Sequence, residues 1–212
     1  MIHYKTLLLL GIKIGVMDLK TIFNKALPYD SYRKQVDALL AEGKTTGNIQ
    51  SEEYLEYTKL NVQRMNRLDK TFEIDEKTKI QLDQLDHKYK WLLVGDAWCG
   101  DCAQIVPIIN KMSKEDGIHI DFRIISRDEI PGLIETLNEN ESRSIPKLVM
   151  MDADNYEILH TWGSRPMAAH EILLHYKANQ NTMTKEDFEK ELHLWYARDK
   201  GMNIMREVTA LI

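Results

Sequence analysis

The sequence predicts an α/β protein in which a mixed β-sheet is flanked by helices. Short apolar runs of strand character, Trp91-Leu-Leu-Val-Gly, His119-Ile-Asp-Phe-Arg-Ile-Ile and Lys147-Leu-Val-Met-Met, alternate with stretches of helical periodicity. The last run faces Glu157-Ile-Leu-His-Thr-Trp across the turn residues Asp152-Ala-Asp-Asn155, the pattern of a β-hairpin. Strand, helix and strand followed by hairpin and helix requires a sheet covered by helices.

The 212 residues leave room for one core domain with a sizeable extension or for two small domains, and 43% hydrophobic with 29% charged residues is ordinary globular composition. A net charge of −5 lacks the basic footprint that phosphate backbones require, so no nucleic acid partner is expected. Residues 1–17 read as an extension or a signal. The apolar run at 7–16 follows Lys5 as in an export signal, but Gly11, Lys13 and Gly15 interrupt it and no small-residue cleavage pattern follows. A start at Met17 is the other reading. The run is too short to cross a bilayer and none is longer, so no integral membrane span is expected.

Residues 18–70 read as a charged helical extension. Tyr32, Val36, Leu39 and Leu40 recur at helical spacing, with Gly43 as a stop. Ser51 is a candidate N-cap for a second helix with Tyr54, Tyr57, Met65 and Leu68 on one face. Residues 71–180 carry the alternating pattern. Helices are predicted over 75–87 (apolar Ile80, Leu82 and Leu85), from 99 towards 114, over 130–138 and over 168–178. In the segment 181–212, Thr184 with Asp187 opens a helix carrying Phe188, Leu192, Trp195 and Tyr196 on one face.

The chain has two cysteines, in Cys99-Gly-Asp-Cys102. A pair within one helical turn closes almost no loop, so reactivity explains it better than stapling. At a strand-to-helix junction the first cysteine meets the free N–H groups and positive dipole end of the helix, which stabilise a thiolate. The second, one turn inward, is placed to attack a mixed disulfide. Cys99 is therefore the expected nucleophile and Cys102 the resolving thiol. The competing reading, half of a zinc site, needs more ligands. His170 and His175 have tempting spacing, but five residues apart on a predicted helix they point to different sides, so neither a metal nor a bound cofactor is expected.

Trp98-Cys99-Gly100-Asp101-Cys102 resembles the Trp-Cys-Gly-Pro-Cys active site of the thioredoxin superfamily. Pro107 matches the proline inside that family's active-site helix, Ser144-Ile145-Pro146 its cis-proline loop, and Gly163 the glycine ending its second hairpin strand. The resemblance spans residues 71–179, about half the chain. It implies a thioredoxin-like fold and a substrate platform of Trp98, Gly100, Asp101, Ile145 and Pro146 around Cys99. A cis bond before Pro146, also implied, would expose backbone groups to an extended substrate. Alone, Pro146 reads as a strand-start proline, but beside the neighbouring matches the cis-proline is the preferred reading. Trp98 reads equally as platform or packing lid.

Three departures from the family pattern matter. Asp101 replaces the central proline. A carboxylate beside two thiols is expected to raise their pKa and favour a reducing dithiol, while also suiting the first helical turn. Leu93 occupies the place of the family's buried acid, and Asp96, nearer in sequence, is expected to face solvent at the strand end. Lys147 follows Pro146 and is expected to bias partners towards acidic surfaces. Together these features predict a cytoplasmic oxidoreductase that reduces protein disulfides with electrons from an unidentified donor, with export left open. The rival is a thioredoxin-fold protein-binding or holdase module without redox turnover. No residue discriminates a dedicated peroxide or arsenate reduction partner.

Overall fold

The computed structural model of the chain describes residues 17–116, 119–138 and 142–212; the apolar run at 7–16 lies outside them. The elements in order are α1 (Leu19–Lys25), β1 (Leu27–Pro28), α2 (Tyr29–Ala41), α3 (Glu52–Thr71), α4 (Glu76–Asp83), β2 (Tyr89–Val94) and α5 (Gly100–Asp116). There follow β3 (Ile120–Ile125), α6 (Leu133–Leu137), β4 (Lys147–Asp152), β5 (Ile158–Gly163), α7 (Met167–Ala178), α8 (Lys185–Asp199) and α9 (Met202–Thr209). The sheet runs β1-β3-β2-β4-β5. The β2–β3 pair is parallel and every other pair antiparallel. This is the predicted mixed sheet with flanking helices, a thioredoxin-like fold.

Central β2 buries Trp91, Leu92, Leu93 and Val94 completely, which means that both faces of the sheet are covered there. The crossover between the parallel strands is α5. It buries Ile105, Val106, Ile108, Ile109 and Met112, and it continues through Pro107 despite the missing N–H. The hairpin turn is held by Asp152, whose Oδ1 accepts the N–H groups of Asp154 and Asn155 at 2.9 Å.

The structure departs from the sequence reading where local signals compete with packing. Within the helical extension, Leu27 and Pro28 pair with Ile124 and Arg123 as an edge strand, where a proline without an N–H is tolerated. The helix predicted from 130 starts only at Leu133, because Gly132 at φ 80° closes a turn first. The helix predicted to reach 87 ends at Asp83. Along α3 the buried stripe is Thr58, Asn61, Met65 and Leu68, with Tyr54 and Tyr57 half-buried beside it. The two polar members are satisfied: Thr58 Oγ1 donates to the Tyr54 carbonyl and Asn61 Nδ2 to the Ala97 carbonyl, each at 2.8 Å.

The C-terminal segment is two helices. Thr184 and Asp187 form the expected capping box of α8. The chain then breaks at Lys200 and Gly201, both at positive φ, and α9 inserts Ile204, Met205 and Val208 into the core. From α9, Glu207 accepts the Trp162 indole N–H at 2.9 Å and the Met167 N–H at 2.8 Å, tying the hairpin and the start of α7 to the last helix. Gly201 sits at φ 84° against Ile108 and Phe72, leaving no room for a Cβ. Gly201→Ala is therefore expected to cost about 1–3 kcal/mol through strain and overpacking. Urea denaturation reads this as a lower midpoint, and an unchanged midpoint contradicts it.

Candidate functional site

The site forms where β2 ends and α5 begins. The Cys99 carbonyl accepts the Ala103 N–H at 3.1 Å and the Cys99 N–H donates to the Asp96 carbonyl at 3.1 Å, which fixes Cys99 at the head of α5. The Cys102 N–H points at Cys99 Sγ at 3.5 Å, so a helix N–H is directed at the sulfur. Both thiols are free, and Cys99 Sγ lies 3.5 Å from the Ile145 carbonyl oxygen. The Ile145–Pro146 bond is cis. Gly163 is packed so closely on the Pro146 carbonyl that any side chain there would overlap it. Three distant pieces of sequence, the Cys99–Cys102 turn, Pro146 and Gly163, thus meet at one place.

Cys102 lies deeper. A Cβ on Gly95 would come within 2.8 Å of its sulfur and 3.0 Å of Leu93 Cδ2, so an apolar wall stands where the family's acid would be. Burial, with Cys99 adding to it, pushes the Cys102 thiol well above its ordinary value. Asp96 does not face solvent as expected. It is fully buried, accepting from Ser126 Oγ at 2.7 Å, the Arg127 N–H at 3.3 Å and Thr46. These donors draw the side chain inward. Even so, burial raises its carboxyl above the usual 3.8, and its charge is felt at Cys102. A cavity of about 330 Å³ adjoins, walled by Tyr32, Thr46, Gln50 and Ser126.

Asp101 also differs from expectation. It is buried, and Arg165 donates to its Oδ2 through Nε at 3.1 Å and through Nη2, while the Tyr196 hydroxyl donates to Oδ1 at 2.6 Å. It is not exposed to contact a substrate. Nor is it a lone negative charge beside the thiols, because the guanidinium neutralises it and reaches Cys99 with its own field. The argument from Asp101 to a reducing dithiol therefore loses its basis.

Trp98 stacks on Tyr54 of α3, with ring centroids 4.4 Å apart and 16° between planes, and the Arg127 guanidinium lies 4.9 Å from its centroid. Gly100 is half-buried beneath His193 of α8 and beside Arg64 of α3. Lys147 pairs with Val94 and Gly163 in the sheet. Arg64, Asn61, Arg165, His193 and Thr46 carry no sequence signal, and Tyr196 reads only as part of an apolar helix face, because each comes from an element distant along the chain. His170 and His175 lie along α7. Among the described residues no group of three or more His, Cys, Asp or Glu side chains is arranged to hold a metal, and no helix is long and apolar enough to cross a membrane.

A family profile described as Thioredoxin matches residues 47–186. No curated protein matches the chain. Among solved structures, a protein of unknown function from Pseudomonas aeruginosa is similar at 17% identity and TM-score 0.52, over 82% of this chain and 89% of that one. An HIV 4E10 epitope scaffold is similar at 16% identity and TM-score 0.53, over 91% of this chain and 95% of the other. At these identities the likeness is one of fold.

Two outcomes follow from the buried charges. An acid whose folded-state pKa is raised binds its proton more tightly in the folded protein, so its contribution to stability falls as pH rises above about 3.8. Asp96→Asn removes that contribution, and its urea midpoint should gain on the wild type as pH rises from 4 towards 7; parallel pH curves would contradict this. Arg165→Met should destabilise by about 3 kcal/mol by leaving Asp101 buried and unpaired. The double variant Asp101→Asn with Arg165→Met should recover part of the loss, whereas additive losses in a double-mutant cycle would deny the coupling.

Proposed function

Because the chain belongs to the thioredoxin family, we propose that it is a thiol–disulfide oxidoreductase that reduces protein disulfides by dithiol exchange. The observation that carries this reading is Cys99 Sγ, at the head of α5, with the Cys102 N–H directed at it and the cis-proline loop 3.5 Å away. Burial pushes the Cys102 thiol up and holds it back from ionising, and Cys99, nearer the surface with a helix N–H directed at its sulfur, is the one placed to attack.

Cys99 Sγ attacks one sulfur of the substrate disulfide. A Cys99–substrate bond forms, the substrate disulfide breaks, and the departing thiolate takes up a proton. Cys102 then loses its proton and attacks Cys99 Sγ, releasing the second substrate thiolate. Two electrons have passed from dithiol to substrate. Asp96, whose charge Cys102 feels and whose own carboxyl is raised, is the acceptor proposed for the Cys102 proton, with Thr46 and Ser126 linking it to the polar cavity. An external thiol or dithiol donor must restore the pair. The reading implies a thiol-reducing compartment such as the cytoplasm.

Cys102→Ser is expected to accumulate a mixed disulfide with substrate protein, and Cys99→Ser is expected to accumulate none. Equilibration in dithiothreitol or glutathione buffers should give a potential on the order of −270 mV. A much more oxidising value would turn the reading towards disulfide formation. If no Cys99–Cys102 disulfide forms in any buffer, the redox reading fails and a binding module takes its place.

A further inference from the structure

The mouth of the dithiol site carries a cation with no carboxylate to answer it. Among the described residues, the other half-buried arginines each hold an acid within 4.0 Å: Arg33 has Asp69, Arg123 has Asp121, Arg127 has Asp128 and Arg165 has Asp101. Arg64 is also half-buried, yet its one hydrogen bond is from Nη1 to Asn61 Oδ1, at 2.8 Å. Asn61 is itself anchored to the Ala97 carbonyl, so the guanidinium is held in place by the backbone that leads into Cys99. The next arginine along α3, Arg67, adds like charge rather than relief. The nearby acid, Glu189, is shared between Lys185 and the Tyr57 hydroxyl, each at 3.5 Å.

Facing Arg64 from α8 is His193, whose Cε1 and Nε2 lie 3.0 and 3.3 Å from the position a Cβ on Gly100 would take; Arg64 Nη1 lies 3.6 Å from it. Burial, with the Arg64 charge beside it, lowers the His193 value to about 4, so the ring is neutral at pH 7. Its buried Nδ1 has no hydrogen-bond partner. A partly desolvated guanidinium and an unpartnered imidazole therefore converge on the residue next to the nucleophile. A partly desolvated guanidinium is costly unless an anion pairs with it, and a carboxylate on Arg64 would meet the Cε1–Nε2 edge of His193 rather than its enclosed Nδ1.

We propose that Arg64 and His193 form a carboxylate-binding subsite beside Gly100, which selects substrate proteins carrying an acidic residue two positions from the cysteine that Cys99 attacks. The inference rests on the dithiol-exchange reading and adds to it a charge preference. An extended substrate advances about 3.3–3.4 Å per residue. Successive side chains face opposite ways, so it is the residue two positions from the reacting cysteine that shares its face, about 7 Å along the chain, on the Gly100 side of Cys99, while the cis-proline loop bounds the other.

The test uses three symmetric disulfide-linked peptides, acetylated and amidated, with Glu, Gln or Lys two positions from the cysteine. Their reduction by the full-length protein is measured relative to their reduction by dithiothreitol, which cancels intrinsic differences in disulfide reactivity. The wild type should favour Glu over Gln by about fivefold at low salt and disfavour Lys, and the preference should shrink as ionic strength rises. Arg64→Gln should bring the Glu-to-Gln ratio to about one, and Arg64→Lys should restore part of it. A wild-type ratio of one, or a preference that survives Arg64→Gln, overturns the subsite. If dithiothreitol reduces all three peptides and the protein reduces none, it is dithiol exchange itself that fails.

Discussion

The site is organised by the need to satisfy a carboxylate buried inside its own turn. Asp101 lies between the two cysteines at the head of α5, where the family pattern has a proline that needs no partner. A charge in that position requires a cation and further donors close by. Arg165 and the Tyr196 hydroxyl supply them. One comes from the loop after β5 and the other from α8, so the dithiol turn is joined to chain that follows the sheet. The dithiol turn, the loop after β5 and α8 therefore share one electrostatic unit.

On the other side the segment before the core does similar work. Asn61 holds the Ala97 carbonyl, Tyr54 stacks on Trp98, and Thr46 bonds both the Ala97 N–H and Asp96. Trp98 is thus gripped between α3 and Arg127, which favours its packing role. The helical segments flanking the α/β core form the walls of the dithiol pocket. The surroundings of Cys99 are therefore built largely by chain outside the strands of the sheet.

The two cysteines occupy unequal environments. Cys99 has a helix N–H directed at its sulfur and Arg165 within electrostatic reach; Cys102 is enclosed by Gly95 and Leu93 near a buried acid. In the proposed dithiol exchange that difference makes Cys99 the sulfur that attacks first and Cys102 the one that follows. Asp96 and Cys102 are both groups that burial drives towards their neutral forms. A proton moving between them would leave the charge of the enclosed pair unchanged.

Family resemblance implied that Cys99, Cys102, Pro146 and Gly163 meet; the sequence by itself determined the α/β architecture, the four main strands and the helix that begins at the cysteines. These were legible because hydrophobic period, capping residues and motif spacing are local properties. Helix ends were less so, as at Gly132 and Lys200, because a backbone turn is chosen jointly with the packing around it. Only the tertiary structure decided what Asp101 and Asp96 do, and that Arg64, Arg165, His193 and Tyr196 surround the dithiol. A buried charge is satisfied by whatever donor the fold brings alongside. Arg165 lies 64 residues from Asp101, and Tyr196 lies 95 away. No periodicity or spacing encodes a partnership of that kind, so it exists only once the helices have packed.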